Sequence, residues 1–155
     1  MNRPKFSFAH TMLRVKDLEK SLDFYCRILG MQLVCRDDYP EGKFSLCFLS
    51  FADGQKIPDN PQEKRQWLAT TRGILELTHN WGTENNPDFF YDTGNGKTGG
   101  YGHIAISVDD FAAAISYLDR QNVPFKKRPE EGKMPDIAFI LDPDGYFVEI
   151  IKQHK

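Results

Sequence analysis

Two histidines and two glutamates recur at matching places in this 155-residue chain. Each histidine, His10 and His103, lies in the first strand of a predicted β-α-β-β-β pattern, and each glutamate, Glu76 and Glu149, lies in the last. The separations are 66 residues (10 to 76) and 46 residues (103 to 149), and a polar segment at 53–66 accounts for most of the difference. The sequence therefore predicts an internal repeat that delivers the same two residue types twice.

In all four strands the histidine or glutamate lies opposite an aliphatic face, because successive side chains of a strand alternate. If these faces converge, two imidazoles and two carboxylates meet, and the carboxylates repel one another unless a cation lies between them. Two nitrogen and two oxygen donors suit Zn²⁺, Ni²⁺, Co²⁺, Fe²⁺ or Mn²⁺ better than Ca²⁺ or Mg²⁺. Four protein ligands leave two positions open on a six-coordinate ion, which is typical of a catalytic site.

Each of these four residues has an ordinary alternative when it is taken alone. A single strand histidine is more often satisfied within the protein than bound to a metal, and either glutamate could face water. The matching repeat phase favours the metal site. His79 is out of phase with the repeat and is predicted to be structural or to support the neighbouring ligand. Asn80 and Trp81 are predicted to be loop residues at the mouth of a pocket, and His154 to be solvated.

The hydrophobic pattern also predicts the elements that hold these residues. Asp17 is predicted to cap the first helix, which Gly30 ends, and Asp109 or Asp110 to cap the second. Segment 53–66 is polar and contains prolines, so it is predicted to be a surface insertion with a single helical turn. The predicted strands cover 9–15, 31–35, 44–51, 73–78, 102–108, 124–127, 137–141 and 146–151, and the predicted helices cover 18–29 and 111–121.

These elements form one predicted domain over 8–152, made of a module at 8–83 with its insertion and a module at 101–152. The segment 84–100 is rich in Asn, Gly and Asp and is predicted to be a linker or lid.

Composition excludes several classes of function. The net charge is −2 with no basic stripe, so nucleic acid is not an expected partner. The N-terminal stretch 1–8 is too short and polar for a signal peptide, and no run of about 18 apolar residues predicts a membrane span. The odd number of cysteines and their spacing indicate reduced thiols and a cytoplasmic location; they are Cys26, Cys35 and Cys47.

Six stretches together resemble a known enzyme family. HTMLRVKDLEKSLDFY, RILGMQL, FSLCFLSF, LELTHNWGTE, GYGHIAISVDD and DPDGYFVEI are similar to glyoxalase I (lactoylglutathione lyase), of the vicinal oxygen chelate superfamily. The resemblance covers nearly the whole chain, from Phe8 to Lys152.

The resemblance implies an α+β fold in which tandem βαβββ modules form a curved eight-stranded sheet across a homodimer. It implies that one chain supplies His10 and Glu76 to each active site and the other chain supplies His103 and Glu149. Members with an insertion before the LELT strand are generally zinc-dependent, whereas shorter members generally prefer nickel or cobalt. We therefore expect Zn²⁺, with Ni²⁺ or Co²⁺ as the alternatives.

The reaction implied by the resemblance is metal-dependent isomerisation of the methylglyoxal–glutathione hemithioacetal to S-D-lactoylglutathione through an enediolate, which detoxifies methylglyoxal. The metal would act as a Lewis acid on the two vicinal oxygens. Glu149 would take the proton from C1, and Glu76 would serve the opposite face of the enediolate.

Basic residues are implied to hold the two carboxylates of glutathione. Arg14 shares a strand face with His10, and a guanidinium binds a carboxylate bidentately. The family uses the positions of Arg14 and Asn80 for the γ-glutamyl end. The positions matched to the glycyl end are Lys127, Lys133 and Met134. For the two lysines, the alternative is simple solubilising charge.

One position departs from the family pattern. Zinc-dependent members often carry an arginine four residues before the second histidine, and here that residue is Gly99, for which Lys97 could substitute. This departure leaves the identity of the thiol open. Candidates for an apolar pocket around the substrate's methyl group, each of which could equally be core, are Met12, Tyr39, Leu46, Phe48 and Trp67.

Other members of the superfamily provide the competing interpretations. An extradiol dioxygenase would use two histidines and one glutamate around iron, so Glu76 in a fourth position argues against it. A non-catalytic small-molecule-binding protein would not need paired carboxylates. An acyl-CoA epimerase shares the enolate chemistry but has less reason for the LELTHNWG loop and Arg14.

Overall fold

The computed structural model describes residues 3–153, with Asp53 described by its backbone alone. The chain divides into two compact units between Phe89 and Phe90, within the segment 84–100 that was expected to be a linker. Each unit contains one copy of the β-α-β-β-β order that the sequence predicts. Over residues 3–153, no helix is long and apolar enough to cross a bilayer.

The first unit contains a four-stranded mixed sheet of order β1-β4-β3-β2. Strand β1 runs parallel to β4, and the other neighbours are antiparallel. A π-helical stretch over Asp23–Ile28 continues the first helix. The elements are β1 (His10–Val15), α1 (Leu18–Leu22), β2 (Gln32–Tyr39), β3 (Phe44–Ser50), α2 (Pro61–Thr70) and β4 (Ile74–Asn80).

The second unit repeats this topology with a sheet of order β5-β8-β7-β6, in which β5 runs parallel to β8. Its elements are β5 (His103–Val108), α3 (Phe111–Arg120), β6 (Phe125–Lys127), β7 (Ile137–Leu141) and β8 (Phe147–Lys152). The prediction of an α+β fold with paired βαβββ modules is confirmed. The eight-stranded sheet across a dimer stays a prediction.

Each sheet buries one face against its helix. In the first unit, Leu13 and Leu77 lie on the buried face, and α1 packs against β4. In the second, Val148 and Ile150 are buried on β8, which packs against α3, and Leu118 is the buried residue of that helix. Each buried aliphatic side chain contributes about 1.5–3 kcal/mol to stability. Because successive side chains of a strand alternate, the histidines and glutamates of these strands lie on the opposite face of the sheet.

Local signals in the sequence set the ends of these elements. Asp17 accepts a hydrogen bond from the Lys20 N–H at 3.3 Å and caps α1, as predicted. Of the two candidates for the second cap, Asp110 is the one used, accepting from the Ala113 N–H at 2.9 Å. Gly30 has a φ of 86° and ends the first helical stretch, where only glycine adopts the left-handed conformation without strain.

The insertion differs from its prediction. Instead of a single helical turn within 53–66, it contains the ten-residue helix α2, which extends to Thr70. Asn60 starts this helix by accepting from the N–H groups of Gln62 and Glu63, and Pro61 occupies its first turn. No residue of α2 is fully buried, so the sequence has no apolar periodicity that would predict this helix.

Two further boundaries are corrected. Strand β2 extends to Tyr39 rather than ending at Cys35, because its polar half pairs with β3 along the full length. Asn80 is the last residue of β4 rather than a loop residue, and a short 3₁₀ turn, Thr83–Asn85, follows it.

Candidate metal centre

In the first unit, the parallel pairing of β1 with β4 brings His10 and Glu76 together. The register places Met12 beside Glu76, so the glutamate lies diagonally across from His10 on the same face. The His10 Nε2 and the Glu76 Oε2 are 2.7 Å apart. The imidazole is 39% exposed and the carboxylate 12%, so the pair opens to the surface through the histidine.

The second unit builds the same pair from β5 and β8. Ala105 lies beside Glu149, which gives the same two-residue offset from the histidine as in the first unit. The His103 Nε2 and the Glu149 Oε2 are 3.3 Å apart, with side-chain exposures of 39% and 17%. The repeat inferred from sequence therefore extends to strand register, atom pairing and exposure.

A phenylalanine on the third strand of each module contacts the histidine ring. Phe48 lies beside Glu76 in the β3–β4 register, and Phe139 lies beside Glu149 in the β7–β8 register. Their rings meet His10 and His103 edge to face, with centroid distances of 5.6 and 5.1 Å. Phe48 was a sequence candidate, but Phe139 was missed, although the repeat phase that linked the two glutamates also links these phenylalanines.

The donor atoms of each pair fit adjacent positions on one metal ion. Ligands about 2.1 Å from a metal lie roughly 3.0 Å apart at octahedral angles and about 3.4 Å apart at tetrahedral angles. The observed separations of 2.7 and 3.3 Å lie close to these values. Over residues 3–153, His, Cys, Asp and Glu form no group of three or more that could hold a metal, so neither unit holds a complete set of ligands by itself. The pairs His10–Glu76 and His103–Glu149 are therefore named half-sites.

The cysteines do not compete as ligands. All three are free thiols, and burial raises the pKa of each, that of Cys47 to about 11. A metal binds the thiolate, so a raised pKa weakens these thiols as donors, and over residues 3–153 none of them belongs to a group of three or more residues that could hold a metal. The chemistry of the two half-sites is therefore that of imidazole nitrogen and carboxylate oxygen.

A cavity of about 630 Å³ lies beside His10 in the first unit, between the sheet face and α2. Three of the predicted apolar candidates, Tyr39, Leu46 and Phe48, line it. Trp67 and Met12 do not line it. The contribution of α2 comes instead from residues that the sequence did not single out, namely Pro61, Lys64, Arg65, Leu68 and Ala69.

Arg14 and Asn80 extend the His10–Glu76 face along the same two strands. Each lies four residues after its ligand, so alternation keeps both on the ligand face. Thr78, which pairs with Arg14, donates from its Oγ1 to the Glu76 Oε1 at 3.4 Å. The polar row therefore continues from the half-site to the end of β4.

His79 and Trp81 lie on the opposite face. The His79 Nε2 is 2.8 Å from the Glu84 Oε2, which also accepts from the Gly82 N–H at 2.9 Å. Backbone hydrogen bonding and the His79 contact lower the pKa of Glu84. The Trp81 Nε1 donates to the Ser45 Oγ at 2.8 Å. His79 is thus structural. Trp81 directly follows β4, and its bond to Ser45, the strand partner of His79, places the indole on the His79 face rather than at the mouth of the pocket beside His10.

The residues matched to the glycyl end lie in or beside the β6–β7 loop. Lys133 and Met134 are exposed there, and Met134 is 58% exposed. Lys127 instead donates its ammonium hydrogens to backbone carbonyls of the chain. His154, the remaining histidine, lies outside the described residues.

Comparison with known proteins consistently finds relatives that are named lactoylglutathione lyase or glyoxalase I. The family model described as Glyoxalase/Bleomycin resistance protein/Dioxygenase superfamily matches residues 7–150. The lactoylglutathione lyase of Pseudomonas putida is 52% identical over 148 residues, covering 96% of this chain and 86% of that protein. The lactoylglutathione lyase of Schizosaccharomyces pombe is 47% identical over 98% of this chain, which spans 47% of that longer protein.

Solved structures agree. The trypanothione-dependent glyoxalase I of Leishmania major superposes with a TM-score of 0.70 at 32% identity, over 96% of this chain and 87% of that one. The glyoxalase I of Zea mays gives 0.70 at 30% identity, over 95% of this chain and 44% of that one.

Proposed function

Because this chain belongs to the Glyoxalase/Bleomycin resistance protein/Dioxygenase superfamily and, within it, to the glyoxalase I family, we propose that it isomerises the methylglyoxal–glutathione hemithioacetal to S-D-lactoylglutathione. One observation carries the proposal: each module presents a His–Glu pair with the same register and offset, and glyoxalase I is a metal-dependent enzyme. The physiological role would be detoxification of methylglyoxal in the cytoplasm.

We propose that His10, Glu76, His103 and Glu149 together hold one Zn²⁺. The ion would polarise the two vicinal oxygens of the substrate. Zinc is preferred to nickel or cobalt because the chain carries the insertion, here the helix α2, that accompanies zinc dependence in the family. The ligand set itself would accept any of the three ions.

The two half-sites are proposed to meet across a homodimer. Each chain would contribute the pair of its first unit to one active site and the pair of its second unit to the other. This arrangement would supply the metal with four protein ligands and leave room for the substrate oxygens.

Glu149 is proposed as the base that removes the proton from C1, with Glu76 serving the other face of the enediolate. Both carboxylates are mostly buried, and each lies beside a phenylalanine of the neighbouring strand. Fixed positions matter because a general base must reach the substrate proton at hydrogen-bond distance. The edge-to-face contacts of Phe48 and Phe139 would hold the neighbouring imidazoles in the matching orientation.

The direct test is an assay for thioester formation from methylglyoxal and glutathione, in which the ultraviolet absorbance of the thioester is monitored. The proposal predicts rapid formation of S-D-lactoylglutathione, identified by hydrolysis to D-lactate. A hemithioacetal of a simple thiol serves as the control, because it lacks both carboxylates of glutathione. Turnover of an acyl-CoA epimer with no thioester formation from methylglyoxal would instead favour the epimerase alternative.

Replacing Arg14 with alanine should raise KM for the hemithioacetal by about ten- to hundredfold, the cost of one charge-assisted hydrogen-bonded contact. The turnover number should change much less, because a remote carboxylate contact binds substrate and transition state alike. Arg14→Lys is the matched variant: it keeps the charge but loses the bidentate fork, so its KM should be intermediate. A normal KM for Arg14→Ala would show that Arg14 is structural.

A further inference from the structure

Lys127 ends β6 and sits at the base of the nine-residue loop 128–136 that leads to β7. Its ammonium donates to the Arg128 carbonyl at 3.1 Å, to the Met134 carbonyl at 3.0 Å and to the Ile137 carbonyl at 3.1 Å. These acceptors come from the start of the loop, from its far side and from the first residue of the next strand. An ammonium has three hydrogens, so this contact set uses them all.

The surrounding loop is built around this side chain. A Cβ on Gly132 would lie 3.8 Å from the Lys127 Cε, so the lysine stem runs beneath the loop backbone at its tip. Gly132 itself has a φ of 77°, which fixes the reversal there. Over residues 3–153, Lys127 forms no ion pair with a carboxylate, so backbone carbonyls are its partners.

A second contact fixes the loop to the rest of the unit. The Arg128 guanidinium pairs with the Asp119 carboxylate of α3 and lies 4.3 Å from the Phe125 ring centroid. The Arg128 N–H donates to the Glu131 Oε2 at 2.7 Å. The first half of the loop is therefore held by Arg128. The second half, with Lys133 and Met134, is held by Lys127 and, at its last residue, by the Lys152 N–H, which donates to the Asp136 carbonyl at 3.3 Å.

We propose that Lys127 is a positioning residue: its ammonium holds the loop 128–136 in the conformation that presents Lys133 and Met134, and it does not bind the substrate carboxylate itself. The catalytic consequence of this inference rests on the proposed function, because the loop matches the one that closes over the glycyl end of glutathione. The loop conformation itself can be measured with no substrate present.

The test is amide hydrogen exchange of the free protein. Lys127→Met keeps the length of the stem and removes all three donors. The amides to follow are those of Glu131 and Lys152, which donate to the loop carbonyls of Arg128 and Asp136, and their exchange should accelerate at least about tenfold, the equivalent of one net charge-assisted hydrogen bond. Lys126→Met is the matched control: it removes the same charge from the same strand, whereas the Lys126 Nζ lies over the Phe147 ring at 5.9 Å and bonds no loop carbonyl. Its loop should exchange like that of the wild type.

Kinetics supply the second readout. Lys127→Met should raise KM for the hemithioacetal with a smaller change in kcat, and Lys127→Arg, which can still donate to carbonyls, should recover part of both the protection and the KM. Loop exchange in free Lys127→Met equal to that of the wild type would overturn the inference and return Lys127 to direct carboxylate binding. Absence of isomerase activity in the wild-type protein would instead refute the proposed function and leave the exchange result standing.

Discussion

Replacing Glu149 with glutamine should lower the turnover number by about 10²–10⁴-fold, the contribution of a positioned general base. Glutamine has nearly the same shape, so the packing beside Phe139 and the β5–β8 register should survive. The amide oxygen still has lone pairs for a metal, but it cannot accept the C1 proton. The measurement is kcat per bound metal ion, with metal content and circular dichroism determined on the same sample.

A carboxylate elsewhere in the chain provides the control for this substitution. Glu19 lies on α1 with an 80% exposed side chain, 3.7 Å from Arg36, and Glu19→Gln removes one charge without touching either half-site. Its turnover should equal that of the wild type. Turnover of Glu149→Gln within threefold of wild type, at full metal content, would remove Glu149 from the role of base.

Removal of the metal should have an effect of similar size. Lewis-acid stabilisation is worth several kcal/mol, so extensive dialysis against a chelator should cost about 10³-fold or more in activity. The apo-protein should stay folded, because the apolar cores lie on the sheet faces opposite the half-sites. Its melting temperature should fall, and the decrease should correspond to the free energy of metal binding that the apo-protein lacks.

Adding single metals back to the apo-protein shows which ion supports activity. Zinc should restore activity fully, while calcium and magnesium should not, because imidazole is a poor ligand for both. Far greater activity with nickel than with zinc would show that the correlation between the insertion and zinc dependence fails for this chain. Full activity in the thoroughly demetallated protein would contradict the metal site altogether.

The strand pattern predicted which residues share a face in each His–Glu pair, because that information is local and repeated. Strand alternation determines the face on which a residue lies, and the aliphatic residues flanking Glu76 and Glu149 indicate that these glutamates lie opposite the core. The parallel register could not be read directly. It depends on the sheet order, which places the first strand of each module beside the last.

The errors have physical reasons of two kinds. Helix α2 was underestimated because it buries no residue completely, so its only strong signal was the Asn60–Pro61 start. Trp81 was misplaced because its indole bonds Ser45, the strand partner of His79, and such a contact between residues 36 positions apart cannot be inferred from the local pattern.

Lys127 illustrates the limit of sequence reasoning. Its residue type indicates a cation, but the choice between a substrate carboxylate and the chain's own carbonyls depends on how residues up to ten positions away fold back. The hydrophobic periodicity of the sequence does not predict contacts of this kind.

The most direct test of the shared metal site is the X-ray absorption spectrum of the zinc-loaded protein at the zinc edge. A site built from both half-sites predicts two imidazoles per zinc with oxygen donors at about 2.0–2.2 Å and no sulfur near 2.3 Å. His10→Ala and His103→Ala should each lose one imidazole, since each module supplies one. A sulfur shell, or an imidazole count unchanged in either variant, would contradict a site built from both modules.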